Sequence, residues 1–159
     1  MEKAENQLKY ENYREQFKRL NSALNSGFNL EAMFIEYAIM EDRTESILRH
    51  ADKWEAYLKS RKGREPNIDS KVKNIQKLAE NRKDTLHKYV ADDMLTELLT
   101  WKEERNRLIH ALLKQQLEHN EIRTLVEQGK QLVDELRKRA GNYNRVIDRR
   151  KEKNHEQSE

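Results

Sequence analysis

The chain has 159 residues and a formal net charge of +3; 35% of its residues are hydrophobic and 38% are charged, with 4 glycines and 1 proline. This composition is typical of long amphipathic helices with solvated faces, and the length is sufficient for one domain with a hydrophobic core. Cysteine is absent, which excludes disulfides, thiolate metal sites and a cysteine nucleophile.

Apolar residues recur at helical spacing along most of the chain and predict five helices. These are expected over about 2–24, about 30–62, from about 70, about 92–117 and about 120–147. The sequence NSG after the first helix and RKGREPNIDS after the second are typical of helix ends. No strand-like alternation is convincing. We therefore expect one antiparallel all-α bundle over 1–148, followed by a polar, disordered tail over 149–159.

Basic residues gather around the proline and near the C-terminus, where they could contact phosphate or simply form solvated helix faces. These residues are Lys59, Arg61, Lys62, Arg64, Lys71 and Lys73, and Arg137, Lys138, Arg139, Arg145, Arg149, Arg150, Lys151 and Lys153. No apolar run approaches membrane-spanning length, and the N-terminal region lacks the apolar segment of a signal peptide. We expect a cytoplasmic protein without membrane contact.

Metal and cofactor motifs are absent from the sequence. The five histidines are dispersed, and none belongs to an H-E-x-x-H arrangement. There is also no glycine-rich phosphate loop and no G-x-S-x-G elbow. We therefore expect neither a metal nor a cofactor.

The stretch WKEERNRLIHALLKQ places Arg105, Asn106 and His110 in a predicted apolar helix. RNA is cleaved by its own 2′-hydroxyl when a base lies near that oxygen, an acid protonates the leaving 5′-oxygen and positive charge stabilises the phosphorane. Histidine titrates near neutral pH, and arginine offers phosphate a permanently charged fork of donors. Asn106 lies four residues before His110, so its amide could bind phosphate or orient the imidazole.

These residues resemble the R-x(4–6)-H signature of the HEPN superfamily, small all-α proteins that include many ribonuclease toxins and anti-phage effectors. In that family the residue after the arginine is often Asn, Asp or His. Other arginine–histidine pairs with similar spacing occur in the chain, but only the Arg105 pair has Asn in the second position and lies on a strongly apolar helix. One departure is Leu112, two positions after the histidine, where many toxin members have Tyr.

The resemblance implies a HEPN-like fold and a metal-independent endoribonuclease with RNA as its substrate. Arg105 would be the phosphate clamp, His110 the general base or acid, and Asn106 the positioning residue. The resemblance also implies a homodimer with the site at or near the interface, and it makes an antitoxin protein a candidate partner.

Arg105 and His110 are five residues apart, so their directions on an ideal helix diverge by about 140°. The long arginine side chain, a distorted turn or a second subunit could close this gap. Glu36 and Arg107 are supporting candidates. Glu36, the only charge in AMFIEYAIM, either orients Arg105 or His110 or is a satisfied buried carboxylate. Arg107 either pairs with Glu103 on the surface or contacts phosphate.

The alternative is a non-catalytic helical module that binds a protein or RNA partner through its basic faces or its last helix. Apolar positions at roughly heptad spacing in that helix also permit a coiled-coil scaffold. The ribonuclease hypothesis predicts that Arg105 and His110 converge in a cleft. The alternative predicts that at least one of them is buried and ion-paired, for example Arg105 with Glu104, Asp42 or Glu36.

Overall fold

The computed structural model describes residues 2–114 and 118–157 of the chain. Seven α-helices lie in these two ranges, and neither range contains a β-strand. The helices are α1 Glu2–Ser26, α2 Asn29–His50, α3 Trp54–Ser60, α4 Ile68–Ala79, α5 His87–Val90, α6 Met94–Ala111 and α7 His119–Glu156. The all-α prediction is therefore confirmed. The helices are seven rather than five because α3 falls within the predicted second helix and the four-residue α5 is not predicted at all.

The end of α1 follows the local chemistry predicted for NSG. Gly27 adopts a positive φ of 73°, a backbone conformation that glycine reaches without steric cost. The N–H of Phe28 then donates to the carbonyl of Ala23 at 2.8 Å, and the N–H of Gly27 donates to the carbonyl of Leu24 at 3.3 Å. This pair of bonds is a Schellman motif, which satisfies the last carbonyls of the helix.

Helix α2 ends at His50, so the predicted uninterrupted helix over about 30–62 is wrong. Asp52 has a positive φ of 55°, and the N–H of Lys53 donates to the carbonyl of Leu48 at 2.9 Å. Helix α2 thus ends with the same backbone pattern as α1, a residue of positive φ followed by an N–H that donates five residues back, with aspartate in place of glycine. Aspartate is one of the few other residues that enter this left-handed region.

The remaining boundaries differ from the predicted ones in smaller ways. Helix α4 begins at Ile68 because the side chain of Asn67 accepts a hydrogen bond from the N–H of Ser70 at 2.9 Å and caps the first turn. The end predicted at about 117 for the fourth helix lies outside the described residues, and α6 ends at Ala111. Helix α7 continues to Glu156, so 149–156 is helical where the sequence predicts a disordered tail.

The chain forms two compact units: unit 1 comprises residues 1–39 and 101–131, and unit 2 comprises residues 40–100 and 132–159. In unit 1 the indole N–H of Trp101 donates to the carbonyl of Leu125 at 2.8 Å. The buried apolar residues of unit 1 include Leu20, Met33, Ile35, Ile39, Trp101, Leu108, Leu125 and Val126. Those of unit 2 include Met40, Ile47, Leu48, Tyr57, Ile68, Val72, Ile75, Leu86, Leu95, Leu98, Val133, Leu136 and Tyr143.

Candidate active site

Arg105 lies on α6, and its guanidinium packs on two aromatic rings of α2 within unit 1. The Cζ atom is 4.3 Å from the centroid of the Tyr37 ring and 5.1 Å from that of the Phe34 ring. Both distances are within the range of cation–π interactions. The side chain is half-buried, and its Nε atom is buried without a hydrogen-bond partner among the described residues.

No carboxylate of the described ranges forms an ion pair with Arg105. Burial lowers the pKa of the Arg105 guanidinium from its ordinary value, Tyr37 opposes this effect in part, and no acidic side chain contributes. A guanidinium nevertheless remains charged throughout the physiological pH range. The side chain is therefore a positive charge in a partly apolar setting, and it lacks the ion pair that a purely structural arginine would have.

Among the predicted site residues in the described ranges, Asn106 is the one that forms a hydrogen bond with Arg105. The Nη1 atom of Arg105 donates a hydrogen bond to the Oδ1 atom of Asn106 at 3.0 Å. Because the amide oxygen is engaged in this way, the amide nitrogen points away from the guanidinium and offers its two N–H groups elsewhere. Arg105 and Asn106 together thus present a set of hydrogen-bond donors suited to a phosphate.

His110 is exposed on the same helix and forms no hydrogen bond or ion pair within the described part of the chain. Helix α6 is α-helical from Met94 to Ala111, so no distorted turn separates Arg105 from His110. On such a helix their directions differ by about 140°, while Asn106 and His110 differ by only about 40°. A single chain therefore groups Arg105 with Asn106, and it does not bring His110 to the guanidinium.

Glu36 is fully buried and packs where α7 approaches α2 and α6 in unit 1. A Cβ atom added at Gly129 of α7 would collide with the Glu36 carboxylate and would lie 2.8 Å from the Cζ2 atom of Trp101. The glycine is thus required here by close packing rather than by backbone conformation. Glu36 is thus a buried carboxylate, and the choice between an orienting role and a satisfied carboxylate stays a prediction.

Arg107 is exposed and bound to two carboxylates. Its Nε atom donates to Glu104 at 2.9 Å, and its Nη2 atom donates to Glu121 of α7. The predicted pairing with Glu103 is wrong, because the Glu103 carboxylate accepts a hydrogen bond from the ammonium of Lys102 instead. The pKa of Arg107 is raised by these hydrogen bonds to Glu121 and Glu104.

The aromatic residues that hold Arg105 are missing from the predicted site. Phe34 and Tyr37 belong to the apolar residues of α2, yet Phe34 is 55% exposed. Their spacing of three residues puts both rings on one face of the helix, and this is the signal that could have indicated a platform for a cation. The sequence does not indicate that Arg105 packs on these two rings, because α6 is distant from α2 along the chain.

Several members of the predicted basic clusters form ion pairs, and Lys71 and Arg139 are two of them. Lys71 is buried, and its ammonium donates to the carbonyl of Glu41 at 3.0 Å and lies 3.5 Å from the carboxylate of the same residue. Arg139 binds the carboxylates of Asp92 and Glu135. These two residues are therefore internal pairs of unit 2 rather than phosphate contacts.

Among the described residues, no group of three or more histidine, aspartate or glutamate side chains could hold a metal ion. No helix in the described ranges combines the length and apolar character needed to cross a membrane. Comparison of the chain with protein-family models, with curated proteins and with solved structures finds no match. The candidate site is thus defined by the chain's own residues alone.

Proposed function

We propose that this protein is a metal-independent endoribonuclease of the HEPN type that acts in the cytoplasm. The observation that carries the proposal is the state of Arg105, a half-buried cation without a carboxylate partner in the described residues. Removing a charge from water is costly when no counter-ion is present, and a bound phosphate would supply that counter-ion. The aromatic rings of Phe34 and Tyr37 hold the guanidinium without neutralising it.

In the proposed reaction His110 takes the proton of the RNA 2′-hydroxyl as that oxygen attacks the adjacent phosphorus, or it protonates the leaving 5′-oxygen. The bond from phosphorus to the 5′-oxygen breaks, and the products are a 2′,3′-cyclic phosphate and a 5′-hydroxyl. Water exchanges the second proton: it accepts the proton of the 2′-hydroxyl when His110 is the acid, and it supplies a proton to the 5′-oxygen when His110 is the base. Arg105 stabilises the negative charge that develops on the phosphorane, and Asn106 positions the phosphate through its amide N–H groups.

We propose further that a second copy of the chain completes the site, because Arg105 and His110 diverge on α6. The partner's His110 would then meet Arg105 and Asn106 of the first copy. Two exposed apolar residues of α2 support this arrangement: Phe34 is 55% exposed and Leu30 is 39% exposed. Both lie on the face of α2 that contacts Arg105. A homodimer would remove such a patch from water.

A role as a toxin or anti-phage effector, with an antitoxin protein as a partner, would follow from the same resemblance. The exposure of His110 is compatible with such a role, because an inhibitor could cover the imidazole directly.

The first experiment compares RNA cleavage in EDTA by the wild type with that by Arg105→Ala and His110→Ala. Arg123→Ala and His155→Ala are matched controls, since each removes the same residue type from an exposed position of α7. We expect cleavage that leaves 2′,3′-cyclic phosphate ends, its loss in both site variants and its retention in both controls. Activity that is unchanged in the site variants would reject the assignment of these residues.

Mixing the two inactive variants tests whether the site is shared between copies. In a mixed dimer one site would combine intact Arg105 with the partner's intact His110, whereas the other site would lack both. Equimolar mixing should therefore restore about a quarter of the wild-type activity if dimers exchange at random. No recovery from exchanging dimers would show that each chain acts alone. RNA or protein binding without any cleavage would favour the alternative, a non-catalytic helical module.

A further inference from the structure

A pocket with a volume of about 400 Å³ lies in unit 2, where the end of α2, the segment after α4 and the last turns of α7 meet. Its lining includes the buried side chains of Leu86 and Tyr143. Burial, together with the charges of Asp84 and Asp52, raises the pKa of Tyr143 to about 12, so its phenol remains protonated at neutral pH. The volume lies within the range of small-molecule binding sites.

Four cationic residues belong to the lining of this pocket, and three of them form no ion pair with a carboxylate in the described residues. Arg150 donates a hydrogen bond to the hydroxyl of Thr85 and pairs with no carboxylate in the described residues. The ammonium groups of Lys53 and Lys83 likewise form no ion pair within the part of the chain that the structure describes. These three cations are therefore available to a ligand.

Two carboxylates also line the pocket, and each has a local partner. Asp52 accepts a hydrogen bond from the ammonium of Lys151 at 2.9 Å, and Asp84 accepts one from the backbone N–H of Leu86 at 2.8 Å. Four cations against two carboxylates leave the lining with a formal charge of +2 when His50 is neutral. A partly enclosed surface with this excess of positive charge attracts anions.

We propose that this pocket binds a small phosphate monoester of about the size of a nucleoside monophosphate. A phosphate monoester carries about −1.5 to −2 charges at neutral pH, which matches the excess positive charge of the lining. Arg150 can bind two phosphate oxygens as a fork, and the lining residues Lys53 and Lys83 add two further positive charges. The apolar lining leaves space for the uncharged part of the ligand. The pocket shares no residue with the Arg105 site, so this inference does not depend on ribonuclease activity.

Calorimetric titration of the full chain with AMP, adenosine and inorganic phosphate tests this proposal, and NMR amide shifts locate the binding. The test variant is Lys83→Ala/Arg150→Ala. The matched control, Lys77→Ala/Arg149→Ala, removes the same charges from positions outside the lining. We expect AMP to shift the amides of residues 84–86 and to bind at least about tenfold more weakly to the test variant, since each lost contact is a charge-assisted bond. The control should bind AMP as the wild type does, and adenosine should not bind.

The absence of saturable binding of both AMP and phosphate to the wild type would overturn the proposal. Equal binding of adenosine and AMP would do so as well, because the phosphate would then contribute nothing. Equal losses in the two double variants would show that only the net charge of the protein matters. If single-stranded RNA shifted the amides of residues 84–86 and neither AMP nor phosphate did, an extended strand-binding surface would replace the pocket. Inorganic phosphate that binds as tightly as AMP would support the phosphate chemistry and identify free phosphate as the source.

Discussion

The Cζ atom of Arg105 lies 4.3 Å from the centroid of the Tyr37 ring, and this contact takes the place of an ion pair. An aromatic face attracts a cation through its quadrupole but leaves the net charge unchanged. A carboxylate at the same position would hold the guanidinium equally well and would cancel the charge that a phosphate needs. The Tyr37 contact thus combines a fixed side chain with an undiminished positive charge.

Replacement of Arg105 by alanine should therefore cost little stability. No buried carboxylate loses its partner, so the expected loss in unfolding free energy is about 1 kcal/mol, the magnitude of a cation–π contact. Urea unfolding of wild type and Arg105→Ala measures this difference. A loss of about 3–5 kcal/mol, as for a broken buried ion pair, would contradict the interpretation of Arg105 as an unpaired cation.

The two helical glycines of α7 should respond to alanine in opposite directions. Gly129→Ala should destabilise the protein by about 1–3 kcal/mol, because the new methyl group would collide with the Glu36 carboxylate and the Trp101 ring. Gly141→Ala is the matched control, since no atom lies within 4 Å of the added Cβ. It should stabilise the protein by about 0.5–1 kcal/mol through helix propensity. Urea midpoints that move in the same direction for both variants would argue against the close packing at Gly129.

Replacement of Asp52 by glycine should lower the stability of the fold less than replacement by alanine. Both replacements remove the ion pair with Lys151, so their difference reports the backbone conformation alone. The φ of 55° costs alanine about 1–2 kcal/mol relative to glycine. Thermal and urea unfolding should therefore show that Asp52→Gly is more stable than Asp52→Ala. If alanine were equally stable or better, the left-handed turn that ends α2 would not persist in solution.

Tyr143 should make the stability of the fold depend on pH in alkaline solution. Burial raises its pKa from 10.0 to about 12, so the folded state favours the protonated phenol. The resulting stabilisation is fully present below pH 10.0 and is lost as the pH rises through about 12. The free energy of unfolding of the wild type should thus fall relative to that of Tyr143→Phe over this interval. Parallel curves for the two proteins would show that the phenol titrates normally.

Local chemistry explains which parts of the fold are predictable from the sequence. The end of α1 requires only Gly27 and its neighbours, so NSG suffices to predict it. The end of α2 requires Asp52 in the left-handed region, where its carboxylate binds Lys151, 99 residues further along the chain. A turn that depends on a distant residue cannot be recognised from the neighbouring sequence. The apolar periodicity continues across this turn, and the helix is therefore predicted without a break.

The same distinction applies to the candidate site. Arg105, Asn106 and His110 are predicted as site residues from their spacing on one helix, and this prediction needs only six residues of sequence. The rings of Phe34 and Tyr37 and the burial of Lys71 result from pairing between helices, which residue type does not specify. A cluster of lysines and arginines in sequence does not indicate which members find carboxylates in space.

The two tryptophans of the chain lie in different units, and this gives the protein two built-in optical reporters. The Trp101 indole is buried and bound to the Leu125 carbonyl in unit 1, whereas Trp54 in unit 2 stacks on Tyr57 at 5.2 Å beneath the guanidinium of Arg49. In Trp54→Phe the remaining Trp101 fluoresces and reports the unfolding of unit 1. In Trp101→Phe the remaining Trp54 reports the unfolding of unit 2. Coincident transitions in the two single-tryptophan proteins would mean that helices α2, α6 and α7, which run through both units, transmit melting from one unit to the other.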